Sequence, residues 1–235
     1  MGKFATVKTL TFDLFGTVLD LGGSLTPFIA EFLQSKGSRV PVERFWDQWR
    51  GRQRIEQYQD NIMLLGHSGY LETCRRGFVY TLALNGLETT KEEVANFMQA
   101  WQELSPFPDV LPALERLRAR YQLVALSNGE SHFVDHVVKN RIKWKFDEVI
   151  SVEIVGAFKP NPGVYRRASM ILGRELSECL MVSAHSFDIM GAKTCGYRGV
   201  YVNRYRLPFE DTPFQPDAVV QDFAELADVL LSGGR

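Results

Sequence analysis

Thr11-Phe12-Asp13-Leu14-Phe15-Gly16-Thr17 closes a run that reads as a buried β-strand. It leaves one carboxylate, Asp13, at the strand's carboxyl end, with a glycine close behind. Two residues beyond Asp13, where a partner acid would stand, the chain has Phe15. A carboxylate is ionised at neutral pH and can attack carbon or phosphorus when a cation offsets the charge. The stretch therefore suggests a nucleophilic aspartate that works without a second acid and without a metal. The plainer reading of any single Asp after a strand is a helix cap or a turn.

Two further segments repeat the pattern. Leu126-Ser127-Asn128-Gly129 and Val182-Ser183-Ala184-His185-Ser186-Phe187-Asp188 each end an apolar run in polar groups. In open α/β sheets, ligands bind beyond the carboxyl ends of the strands. Asp13, Ser127 and Ser183 all occupy that position.

Between the first segment and the second the texture changes. From Gly22 to about Ser105 the apolar residues follow a helical period, with no convincing strand. Leu25, Ile29, Phe32 and Leu33 form one stripe, with Pro27 near the helix start. Val42, Phe45, Trp46 and Trp49 form another. Thr90-Lys91-Glu92-Glu93 is a capping box ahead of Val94, Phe97, Met98 and Trp101. After Pro106-Phe107-Pro108, strands and helices alternate. Strands are expected over 3–12, 123–126, 146–151, 180–182, 199–202 and 218–220. Helices are expected around Leu114, over 131–140, around Ala168, over 190–194 and around Leu226. Alternation of this kind predicts an α/β fold, a Rossmann-like and mainly parallel sheet covered on both faces. The core is 1–21 with 106–235, and 22–105 is an inserted helical cap.

The chain has 235 residues, 45% of them apolar and 23% charged, with a net charge of -1. That composition fits a globular protein and argues against a general nucleic-acid binder. No apolar run is long enough to span a bilayer, and the start lacks a signal peptide's apolar stretch. Met1-Gly2 is set aside as a myristoylation signal, and Gly233-Gly234 reads as a loose tail. Cys74, Cys179 and Cys195 are odd in number and lack metal-ligand spacing, so they read as reduced packing thiols in a cytoplasmic protein. His67 has no comparable setting. His132 and His136 read as surface histidines, with no acidic motif beside them.

Asp13 to Thr17, Leu126 to Gly129, Lys159-Pro160 and Ser183 to Asp188 together resemble the four motifs of the haloacid dehalogenase superfamily. Order and spacing match along the whole chain, with the helical insert in the cap position. Phosphatases of that superfamily carry a second Asp where this chain has Phe15. They also hold Mg²⁺ with several acids of the fourth motif, where this chain offers only Asp188. The resemblance narrows to the L-2-haloacid dehalogenases through Trp49-Arg50-Gly51-Arg52-Gln53 and Lys159-Pro160-Asn161-Pro162-Gly163-Val164-Tyr165.

This resemblance implies the following scheme. Asp13 attacks the halogen-bearing carbon of a short 2-haloalkanoic acid and forms an aspartyl ester. Water then opens the ester and releases a 2-hydroxy acid. Ser127 and the backbone N–H groups after Asp13, at Leu14 and Phe15, hold the substrate carboxylate. Arg50 and Asn128 receive the halide ion. Phe15 and Phe187 shape a dry pocket. Lys159 offsets Asp13 and Asp188, Tyr165 and Ser183 orient that network, and Thr17 supports the nucleophile. No cofactor and no metal is implied, and the family's habit of pairing permits a homodimer. The plainer reading of an isolated Arg50 is a solvated helix face, and of an isolated Tyr165 packing. A cation is the expected halide partner, which favours function for Arg50.

One position departs from the subfamily. His185 stands where an Asn commonly helps place the hydrolytic water. A histidine there either takes the water's proton or stays neutral and hydrogen-bonds Asp188. The same change leaves the halide preference open, fluoride included. Two other classes of function remain: an Mg²⁺-dependent phosphatase, opposed by Phe15, and an idle binding scaffold, opposed by the retained polar set.

Overall fold

The computed structural model describes residues 3–232. The Met-Gly start and the Gly233-Gly234 tail lie outside that range. Six parallel strands form the main sheet, in the order β5-β4-β1-β6-β7-β8. They are β1 (Thr9–Phe12), β4 (Gln122–Ser127), β5 (Glu148–Ser151), β6 (Cys179–Ser183), β7 (Arg198–Val202) and β8 (Ala218–Val220). Every residue of β1 and β6 is buried. Strand β6, Cys179-Leu180-Met181-Val182-Ser183, is the near-continuous apolar run of a strand covered on both faces. Strand β1 instead alternates threonine with Leu10 and Phe12 and buries the threonines too, Thr11 Oγ1 donating to Leu180 O at 3.1 Å.

Strand β1 is the topological switch. The chain places β4 and β5 on one side of it and β6, β7 and β8 on the other. Phe12 lies opposite Ala125 of β4 and Val182 of β6. That register brings Asp13, Ser127 and Ser183 to one sheet edge, where ligands bind in such folds. Helices α5 (Val110–Leu117), α6 (Ser131–His136), α7 (Pro162–Leu172), α8 (Ser186–Thr194) and α9 (Phe223–Ser232) join and cover the strands. Helix α5 packs on α9, and α7 on α8.

A two-stranded antiparallel ribbon, β2 (Leu19–Asp20) with β3 (Ser105–Pro106), stands where the chain leaves the sheet and returns. Two residues per strand are too few for any periodicity, so the sequence gives no sign of it. Between the two lie α1 (Leu21–Ser35), α2 (Val42–Ile62), α3 (Tyr70–Leu84) and α4 (Lys91–Met98). The capping box forms as expected: Thr90 Oγ1 accepts from Glu93 N at 3.1 Å, and Glu93 Oε2 from Thr90 N at 2.8 Å. Trp49, Phe78 and Phe97 make the aromatic centre of this helical insert, with Phe78 and Phe97 stacked at 4.1 Å. Helices α2 and α3 come close at Gly77, where a Cβ would stand 3.1 Å from Gln53 N.

Several boundaries differ from the expectation. Lys3–Thr6 is a turn, closed by Val7 N donating to Phe4 O at 3.1 Å. The strand register starts at Thr9, opposite Gln122 and Cys179, and the described residues before Lys8 make no backbone bond to either neighbouring strand. Strand β5 begins at Glu148 and not at Phe146, although Asp147 N already donates to Leu123 O of β4 at 2.8 Å. Helix α1 starts at Leu21 because Asp20 caps it, accepting from Gly23 N at 2.8 Å, and this leaves Pro27 inside the helix. Trp101 falls in a 3₁₀ turn (Gln99–Glu103) after α4. Helix α6 passes into a π-turn (Val137–Ile142).

Candidate active site

Asp13 sits at the end of the central strand, 4% exposed. Both of its carboxylate oxygens are engaged. Oδ1 accepts from Lys159 Nζ at 2.9 Å, and Oδ2 from Thr17 Oγ1 at 2.7 Å. Thr17 Oγ1 in turn accepts from Ala184 N at 2.8 Å. The threonine proton is therefore committed to the carboxylate, and the first and fourth motifs are tied together.

Lys159 is 1% exposed. Its ammonium donates to Asp13, to Asp188 Oδ2 at 2.8 Å and to Leu126 O at 2.9 Å, which uses all three protons. The second oxygen of Asp188 accepts from Tyr165 Oη at 2.7 Å. Burial pushes the Asp13 carboxyl up, but the Lys159 ammonium, aided by Thr17, outweighs it and holds the group below its ordinary range. Burial also pushes Asp188 up, and there Lys159 only partly compensates. Burial works against the charge on Lys159, yet the two carboxylates keep its pKa above the ordinary lysine value. A buried charge is tolerable only when paired and hydrogen-bonded, as each of these is.

Beyond Asp13 a nearly filled cavity of about 20 Å³ lies between the sheet edge and α2. Asp13, Phe15, Asn128, His185 and Phe187 line it from the sheet, Arg50, Gln53, Arg54 and Gln57 from α2, and Tyr70 from α3. Phe15 stacks on Tyr70 at 4.1 Å and on Phe133 at 5.6 Å. Among the described residues, the N–H groups of Leu14 and Phe15 have no acceptor. Asn128 Oδ1 accepts from Lys159 N at 2.8 Å, and its Nδ2 donates to Gln57 Oε1 at 3.3 Å. Arg50 donates to Gln53 Oε1 and lies over the Trp46 ring at 5.6 Å. Gly16, at φ +90°, fits only where a side chain is absent: a Cβ there would stand 3.1 Å from His185 Nε2.

Among the expected site residues, Asp13, Phe15, Arg50, Asn128, His185 and Phe187 share the cavity wall, and Thr17, Lys159, Tyr165 and Asp188 form the network behind it. Ser127 is fully buried at the end of β4, its Oγ accepting from Gly129 N at 3.2 Å. Ser183 was expected in the lysine network. Its Oγ instead accepts from His185 N at 3.1 Å, two residues along the same loop. His185 was expected either as a base or bonded to Asp188. Its Nε2 lies 2.9 Å from Phe15 O and its Nδ1 3.4 Å from Arg54 Nη2, so Asp188 is not its partner. Burial, with Arg54 and Arg50 adding and Asp13 opposing, pushes the His185 pKa down to about 4.

Gln53, Arg54, Gln57 and Tyr70 were missed. The signal lay in α2, where Arg50, Gln53, Arg54 and Gln57 recur at helical spacing. That is a polar stripe turned inward, with Gln53 and Gln57 buried. His67 was also passed over, yet its Nε2 lies 2.8 Å from Asn128 O. The three cysteines are free and buried, as expected.

The chain belongs to the haloacid dehalogenase-like hydrolase family, whose model matches residues 7–196. An (S)-2-haloacid dehalogenase from Pseudomonas putida is 31% identical over 228 residues, 96% of this chain and 98% of that one. Another, from Xanthobacter autotrophicus, is 32% identical over 84% of this chain and 76% of its own. The crystal structure of the L-2-haloacid dehalogenase from Xanthobacter autotrophicus with chloropropionic acid covalently bound superposes with a TM-score of 0.82. It is 26% identical, over 97% of this chain and all of that one. Within the family, the chain falls in the L-2-haloacid dehalogenase subfamily.

Proposed function

We propose that this protein hydrolyses short 2-haloalkanoic acids to 2-hydroxy acids through an ester on Asp13, with Lys159 in place of a metal as counter-cation. The observation that carries this reading is the Lys159 ammonium between Asp13 and Asp188, at 2.9 and 2.8 Å. A divalent ion would need that position and those oxygens. Among the described residues, no group of three His, Cys, Asp or Glu side chains is placed to hold one. The superfamily's phosphatases use an acid where Phe15 stands, and a phenyl ring can neither protonate an alkoxide nor activate water. Halide leaves as a stable anion and needs no proton, so displacement at carbon suits this site.

In the first step a carboxylate oxygen of Asp13 bonds to carbon 2 and the carbon–halogen pair departs with the halide. The substrate carboxylate meets Ser127 and the unpaired N–H groups of Leu14 and Phe15. Arg50 and the Asn128 amide take the halide. Arg keeps its charge at any working pH, as an anion acceptor must. A cavity walled by Phe15, Phe187 and Tyr70 excludes water and so strengthens these contacts. In the second step water adds to the ester carbonyl at Asp13, one of its protons passing to the departing 2-hydroxy oxygen and the other to bulk water. The 2-hydroxy acid leaves, and Asp13 returns as carboxylate beside Lys159. The covalent chloropropionic acid in the Xanthobacter autotrophicus dehalogenase supports an ester in this chain.

The same reading takes 22–105 as the cap and 1–21 with 106–235 as the core, which the β2–β3 ribbon at both crossings supports. No described helix is long and apolar enough to cross a membrane, and a cytoplasmic setting suits three reduced thiols. A homodimer is part of the reading. The exposed run Ile62-Met63-Leu64-Leu65 after α2 supplies apolar surface for it, and sedimentation equilibrium tests it. The activity is tested by halide release from fluoro-, chloro- and bromoacetate and from L-2-chloropropionate, with and without chelator. Release that chelator leaves unchanged is expected. Turnover of phosphate esters that requires Mg²⁺ would overturn the reading.

A further inference from the structure

We infer that Arg54 holds His185 in the neutral tautomer protonated on Nε2, so that His185 serves as a hydrogen-bond donor to the nucleophile loop and not as the base for the hydrolytic water. Two partners impose this. The Phe15 carbonyl, 2.9 Å from Nε2, can only accept, so Nε2 must carry a proton. The Arg54 guanidinium, 3.4 Å from Nδ1, can only donate, so Nδ1 must keep its lone pair. Either constraint alone selects the same tautomer, and together they leave no basic nitrogen free.

The pair is held from a third side. The Phe187 ring stacks on the His185 ring at 5.4 Å with planes 6° apart, and the Arg54 guanidinium carbon sits 5.7 Å from the centre of the same ring. Other charged or titratable groups near His185 are Asp13, with Oδ2 at 3.8 Å from Nε2, Arg50 on α2, and Tyr205. Arg54, His185 and Phe187 also wall a second cavity of about 370 Å³, where Tyr201 and Glu210 sit. Asp13 and the hydrogen bond to the Phe15 carbonyl favour a protonated imidazole. Burial and the two guanidiniums oppose it, and the depressed pKa agrees.

The donor has a task. Nε2–H grips the Phe15 carbonyl while Tyr205 Oη donates to the next carbonyl, Gly16 O, at 2.9 Å. Two consecutive carbonyls after the nucleophile are thereby pinned. The loop so fixed carries the unpaired Leu14 and Phe15 N–H groups. Arg54 is thus a positioning residue acting through His185.

The kinetic consequence rests on the dehalogenase reading, but the tautomer does not, so the decisive experiment needs no substrate. Nitrogen-15 NMR of histidine-labelled protein at pH 7, with the His185 signal assigned by its loss in His185→Gln, should show a proton on Nε2 and a bare Nδ1. A proton on Nδ1, or on both nitrogens, overturns the inference whatever reaction the enzyme runs. Arg54→Met should keep the proton on Nε2, where the Phe15 carbonyl still holds it, but let Nδ1 take a second proton at a higher pH than in the wild type. Arg54→Lys, which keeps a cationic donor, should hold that pH low. A His185 titration unchanged in Arg54→Met would remove Arg54 from the account. In rapid quench with a haloacid, His185→Gln keeps a donor for Phe15 and an acceptor for Arg54 but has no basic nitrogen. Ester hydrolysis should slow by less than about 10-fold, whereas loss of a general base costs about 10²–10⁴-fold and would pile up the ester.

Discussion

Oδ1 of Asp13 and Nζ of Lys159 lie 2.9 Å apart, both nearly sealed from solvent and separated by 146 residues of chain. The charge of Asp13 is balanced by a covalently tethered cation that cannot be chelated away. Asp188 and Tyr165 complete the arrangement by holding the ammonium from the far side.

Lys159→Met should therefore lower kcat/KM on a 2-haloacid by about 100-fold or more, and added Mg²⁺ should not restore it. The change leaves two carboxylates facing each other without a cation. Breaking a buried pair costs about 3–5 kcal/mol of stability, readable from urea unfolding.

Arg50→Met should weaken chloride product inhibition by about 10-fold or more, the loss of a charge-assisted contact in a partly desolvated cavity. Arg50→Lys should recover only part of it, because an ammonium lacks the planar fork. Chloride inhibition constants for the three proteins decide this.

Phe15→Asp should not create a phosphatase. The ring is stacked between Tyr70 and Phe133, and a carboxylate there loses that packing and is buried among aromatics. Destabilisation of roughly 3–5 kcal/mol is expected. Asp188 has both oxygens occupied, so Mg²⁺ gains no second ligand. An assay with a chromogenic phosphate ester and Mg²⁺ should stay at background.

The fold and the chemistry were legible to different depths. The strand ends that carry Asp13, Ser127 and Ser183 could be read because each closes an apolar run with a polar group. The register that makes them neighbours follows from parallel pairing. The capping box at Thr90 was legible because its two hydrogen bonds are local. The inward face of α2 was not, since Gln53, Arg54 and Gln57 look like an ordinary solvated helix until α3 and the sheet edge cover them. The partners of His185 and Ser183 were out of reach for other reasons. The His185 contacts depend on where Arg54 and the Phe15 carbonyl fall in space, which no spacing along the chain encodes. Ser183 accepts from a backbone N–H only two residues on, a local turn that the motif does not announce.

His185 also gives the protein a pH signature. Its pKa in the folded state, about 4, lies below the ordinary histidine value. Between those two values the unfolded chain binds more protons than the native one, so stability falls as pH drops from about 6.5 toward 4. At pH 5 the loss should be on the order of 2 kcal/mol. Urea unfolding at pH 7 and pH 5 should show that loss in the wild type and a clearly smaller one in His185→Gln. Equal losses would place the proton uptake elsewhere.

The most direct test is a single turnover of L-2-chloropropionate by excess enzyme in heavy-oxygen water, followed by mass analysis of the peptide that contains Asp13. Heavy oxygen in the Asp13 carboxylate, with unlabelled oxygen in the 2-hydroxy acid, is the predicted result. Heavy oxygen found only in the product of that first turnover would mean that water attacks the substrate directly, and it would contradict the ester on Asp13.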